Sequence, residues 1–128
     1  MSKKETPLTR WYWKQVGGLL IEEFQIVEGT GASSPRYADG LIVLGEPPAI
    51  STTRHVDIAD RDVIVIQTKV SRLGMSLMGQ VLFSKQLVEK MGPRSVRSVA
   101  LCTKDDAMLR PLLEAFDGCE VVIYQPHL

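Results

Sequence analysis

The sequence has little cysteine: two residues in 128, Cys102 and Cys119. They form no CxxC pair and have no neighbouring histidines to complete a zinc set, so neither a disulfide framework nor a zinc ribbon is the source of stability. Two buried thiols in a reducing compartment are the expectation. Long apolar runs are also missing. Nothing approaches the ~18 residues a membrane span requires, and the opening residues through Glu5 are mostly polar and charged, so a cytoplasmic protein is expected. Net charge is absent too, with 15 acidic residues against 15 basic ones. No global positive field advertises a nucleic-acid binder, and any such binding must come from a local patch. There is no internal repeat or low-complexity tract. Gly29-Thr30-Gly31 follows a strand-like segment but completes no GxGxxG pattern, which disfavours a nucleotide-binding fold.

What is present is the pattern of one α/β domain, residues 1–128, long enough to bury a core without covalent staples. Trp13, Val16 and Leu20 recur at three-and-four spacing behind Thr9, a candidate cap, and predict a helix over about residues 9 to 22, weakened by Gly17 and Gly18. Phe24, Ile26 and Val27 read as a short strand that ends in the loop from Gly29 to Pro35. Leu41 to Leu44 form a second strand, led by Asp39 and closed by Gly45, Pro47 and Pro48. A long excursion runs to about Arg61.

Val63 to Ile66 are four consecutive β-branched residues, as suits a central strand covered on both faces. Leu73 to Met91 read as the longest helix, stopped by Gly92-Pro93. Val96 to Cys102 read as a strand, Thr103 to Asp106 as a capping box opening a helix through about Phe116, and Cys119 to Tyr124 as a last strand. The order is αβββαβαβ, with a central mixed sheet of about five strands flanked by helices.

Alternate residues of a strand share a face, so Val63, Val65, Gln67 and Lys69 point one way, and that face turns polar at its C-terminal end. Burying an unpartnered amide costs roughly 2 to 7 kcal/mol, so these groups reach solvent or have a partner. If the second and third strands pair as a hairpin, the Asp39 carboxylate lies beside them.

An aspartate leading into one strand, then an acidic-x-Lys tripeptide ending the next, behind a helix bearing a glutamate, is the PD-(D/E)XK pattern. Ala38-Asp39 followed by Gln67-Thr68-Lys69 resembles it. The resemblance implies a restriction-endonuclease-like core and a metal-dependent nuclease that hydrolyses nucleic-acid phosphodiester bonds, DNA first among them. It implies Mg2+ (or Mn2+) held by Asp39, the carbonyl of Thr68 and Glu22 or Glu23, with Gln67 assisting and Lys69 acting on the water or on transition-state charge.

Two departures accompany it. Ala38 stands in place of proline, and Gln67 in place of the second acid brings no charge to the metal. The alternative is a non-catalytic nuclease-fold module that binds nucleic acid or a protein partner. Arg72 and Gln80 are candidates for substrate contact, although Ser84 stands where a tyrosine would complete a site-supporting motif with Gln80. Trp11, Tyr12 and Trp13 are assigned to packing ahead of base stacking. A neutral chain of this size would need a homodimer or a partner domain to grip a duplex.

Overall fold

The structure is a computed structural model and describes residues 3 to 126. Its elements are α1 (Glu5–Val16), β1 (Leu19–Val27), β2 (Arg36–Val43), β3 (Ala49–Ser51), β4 (Asp62–Arg72), α2 (Met75–Glu89), β5 (Ser95–Lys104), α3 (Arg110–Glu114) and β6 (Cys119–Ile123). The strands make one six-stranded mixed sheet in the order β3-β1-β2-β4-β5-β6. β2 pairs antiparallel with β1 and β4, whereas β3 runs parallel to β1, and β5 and β6 continue parallel from β4.

The run from Val63 to Ile66 fixes the centre of the sheet. Its residues are fully buried on alternate faces, with Val63 and Val65 under the end of α2, and Ile64 and Ile66 under α1. Each such side chain contributes roughly 1.5–3 kcal/mol by leaving water. α1 covers one face through Leu8, Tyr12 and the half-buried Trp11 and Trp13. α2 and α3 cover the other, where Leu77, Val81 and Leu113 pack on Ala100, Cys102 and Val121. The three N-terminal aromatic residues therefore serve packing, as expected. No helix among the described residues is long and apolar enough to cross a membrane.

The first helix is shorter and earlier than the spacing of Trp13, Val16 and Leu20 suggests. It ends at Val16 because Gly17 and Gly18 both take positive φ, at 81° and 83°. A side chain at Gly18 would place its Cβ 2.7 Å from the carbonyl oxygen of Val43, so only glycine lets the chain turn this closely into β1. Leu20 belongs to β1, and Thr9 is no cap but a fully buried residue within α1. The long excursion before β4 holds a sixth strand, β3. Asp106 caps a turn rather than the helix itself, its carboxylate accepting from the N–H groups of Met108 and Leu109, and α3 starts only at Arg110.

β1 changes its alternation midway. The core beneath α2 receives Ile21, then Phe24 and Ile26, so the side chains switch parity between Ile21 and Phe24. Glu23 stands in that interval with φ 53°, a left-handed conformation that costs a non-glycine residue on the order of 1–3 kcal/mol. Ala38, Leu41 and Val43 of β2 show the same parity switch across Asp39. The register places Glu23 opposite Asp39, with Glu22 against Gly40 and Phe24 against Ala38. Glu23 and Asp39 both line the cleft described next.

Candidate functional site

The antiparallel ladder between β2 and β4 runs from Val43↔Val63 to Gly40↔Ile66 and stops. Continued, it would set Thr68 opposite Ala38. Instead the N–H of Thr68 donates to Oδ2 of Asp39 at 2.7 Å, so a side chain takes the place of a ladder carbonyl. The hydroxyl of Thr68 meets that of Thr9 at 2.8 Å, and Thr9 also bonds the carbonyl of Glu5 at 3.2 Å. With the Thr9 proton given to Glu5, Thr68 is the donor of the pair. On the opposite face Nε2 of Gln67 donates to Oγ of Ser84 on α2 at 2.9 Å. The polar end of β4 is thus tied to β2, α1 and α2 at once.

These residues floor a cleft of about 830 Å³. Asp39, Gln67, Thr68 and Lys69 lie in it, with Glu5, Glu23, Arg36 and Arg54 as further charged groups and Ile26, Tyr37, Phe83 and Leu87 as apolar walls. Arg54 bonds Glu23 at 2.8 Å and stands 5.4 Å from the centre of the Tyr37 ring, closing one side. Burial pushes the Asp39 carboxyl up to about 6; the Thr68 N–H works against the shift, and Glu5 and Glu23 add to it.

The structure brings together Asp39, Gln67, Thr68, Lys69, Glu23 and Gln80, all around this one cleft. It separates Glu22, whose carboxylate forms a two-bond pair with Arg10 at 2.9 Å on the α1 side. Of Glu22 and Glu23, Glu23 is the one that lines the cleft with Asp39. Arg72 stands apart, its guanidinium donating to the carbonyl of Asp105. Glu5, Arg36, Tyr37, Arg54 and Phe83 were not singled out from the sequence. Only Tyr37 carried a signal there, two residues before Asp39 on the same strand.

A magnesium ion requires about six oxygen ligands in near-octahedral array. Here Gln67 turns its amide N–H to Ser84, one oxygen of Asp39 is held by Thr68, and Glu22 faces away. Among the described residues no three His, Cys, Asp or Glu side chains converge as a metal set.

No family model matches the chain, and no solved structure does. Two curated proteins do, each called vacuolar protein sorting-associated protein 52 homolog, from Canis lupus familiaris and Homo sapiens. Each is 29% identical to it over 133 aligned positions, covering 97% of this chain. The chain spans about 18% of the length of these relatives. The similarity corrects the expectation of a metal-dependent nuclease and hydrolase acting on DNA or another nucleic acid: the relatives are named for protein sorting. The physical counterpart is Gln67, a neutral residue bonded inward where a charged metal ligand was required.

Proposed function

We propose that this chain is a protein-binding module of a vacuolar protein sorting assembly, built on a restriction-endonuclease-like core whose cleft receives a segment of a partner protein. The observation that carries the reading is the alignment of 97% of the chain with the two sorting-associated relatives. The cleft supports it. Charges of both signs and exposed aromatic side chains, Phe83 and Tyr37, suit a peptide with polar and apolar residues better than a uniformly anionic backbone. The polar floor formed by Asp39, Gln67 and Thr68 is already hydrogen-bonded within the fold, as befits a rigid platform.

Support for the nuclease-type core comes from the element order. An α1-β1-β2 start is followed by β4, α2 and a parallel β5, with Asp39 and Gln67-Thr68-Lys69 on adjacent strands. Retention of a fold with a different activity is ordinary, since function resides in the site.

The reading is tested by quantitative co-isolation of the intact protein from its own cells, comparing wild type with Phe83→Asp in the cleft and Phe116→Asp on α3. A discrete set of proteins lost with Phe83→Asp and kept with Phe116→Asp is the expected result. The same set retained by both variants would sink the assignment to this cleft.

A further inference from the structure

β6 is the last strand of the sheet, so among the described residues one of its edges has no strand neighbour. Gly118 accepts from Ser98 and Tyr124 donates to Cys102, which fixes the even-numbered residues of this segment toward β5. The odd-numbered residues Cys119, Val121 and Ile123 therefore aim their N–H and C=O groups outward. Such a row is a template for another strand.

Two side chains of α3 occupy it. The N–H of Val121 donates to Oε2 of Glu114 at 3.1 Å, and the C=O of Val121 accepts from Nη2 of Arg110 at 3.2 Å. Arg110 and Glu114 also bond each other at 3.1 Å, as residues one helical turn apart, and Asp105 holds the far side of the guanidinium at 3.0 Å. An acceptor for the N–H and a donor for the C=O of the same residue are what a neighbouring strand would supply. The N–H of Cys119 is taken as well, by the carbonyl of Phe116 at 3.1 Å. On the opposite border β3 pairs with β1 only from Leu19 to Ile21, and beyond it the N–H of Gln25 is taken by the carbonyl of Arg54 at 3.2 Å.

We propose that the Arg110–Glu114 pair is an edge guard, which imitates a seventh strand at Val121 and keeps β6 closed to strand addition, above all by a second copy of this chain. Val121 is itself buried, and Met108, Leu112 and Phe116 leave apolar surface exposed nearby on the α3 segment. An unguarded edge beside that surface would favour sheet-to-sheet pairing.

The test has two parts. Amide hydrogen exchange on the wild-type protein is expected to show Val121 slowed by on the order of 100-fold relative to Ile123. Exchange of Val121 as fast as Ile123 overturns the proposal without any variant. The double variant Arg110→Ala/Glu114→Ala is then followed by light scattering over a roughly 100-fold range of concentration. It is expected to gain a concentration-dependent dimer, which Ile123→Lys placed in the same background suppresses. Glu114→Gln, which keeps an acceptor for Val121, is expected to behave as wild type. A folded double variant that stays as monomeric as wild type throughout, or a dimer untouched by Ile123→Lys, contradicts edge pairing.

Discussion

Asp39 on β2 accepts the backbone N–H of Thr68 on β4 at 2.7 Å, where the hydrogen-bond ladder between the two strands has stopped. This contact joins the most perturbed carboxyl of the cleft to the structure of the sheet. It makes the ionisation of Asp39 a property of the fold.

The pH dependence has a definite sign. The Asp39 carboxyl rises from 3.8 to about 6 on folding, chiefly through burial. The folded state holds the proton more tightly, so the contribution of Asp39 to stability is fully present below the unfolded value and is lost as pH rises through the folded one. Asp39→Asn keeps an oxygen for Thr68 and removes the charge. In urea unfolding, the stability of wild type relative to Asp39→Asn is expected to fall by on the order of 2–3 kcal/mol between about pH 4 and pH 7. Parallel curves would remove the desolvated carboxyl from the account.

Ser84→Ala leaves the amide of the buried Gln67 without its partner. A loss of about 1–3 kcal/mol in equilibrium unfolding is expected. A change below about 0.5 kcal/mol, within the range of an ordinary surface substitution, would mean that Gln67 is free to serve the cleft instead.

Thr9 and Thr68 dock α1 onto the sheet through one buried hydroxyl pair. Thr9→Val strands the hydroxyl of Thr68, whereas Thr68→Val leaves the hydroxyl of Thr9 on the carbonyl of Glu5 and the double variant strands neither. A double-mutant cycle is expected to give a coupling of about 0.5–2 kcal/mol, and additive losses would deny the link.

Gly18→Ala tests the turn that ends α1. Positive φ and a Cβ only 2.7 Å from the carbonyl of Val43 leave no room for relief. The variant is expected to lose about 2 kcal/mol or more. Gly79 on α2 has open space at its Cβ position, so Gly79→Ala serves as the unstrained control.

Much of this architecture was written in the side-chain pattern. Val63 to Ile66 announced a strand covered on both faces, and the polar turn of its alternation at Gln67 and Lys69 pointed to Asp39 across a strand pair. β1 was harder to see, since Trp13, Val16 and Leu20 mimic a helical stripe; the outcome rested on Gly17 and Gly18 both turning to positive φ. Glu23 was invisible as a parity switch, because a left-handed glutamate has no sequence signature. β3 is too short to carry a period, and its pairing with β1 is non-local. The Arg110–Glu114 spacing suggests a helical ion pair, but nothing in it foretells that Val121 would sit between the two charges.

The most direct measurement is photo-crosslinking in cells from a benzophenone amino acid at position 83, with the same group at position 116 as the control. A cleft that receives a partner segment should give one or a few discrete adducts from position 83, resistant to nuclease, sensitive to protease and absent from position 116. Adducts consisting of nucleic acid, or none beyond those of the control, would contradict the protein-binding account.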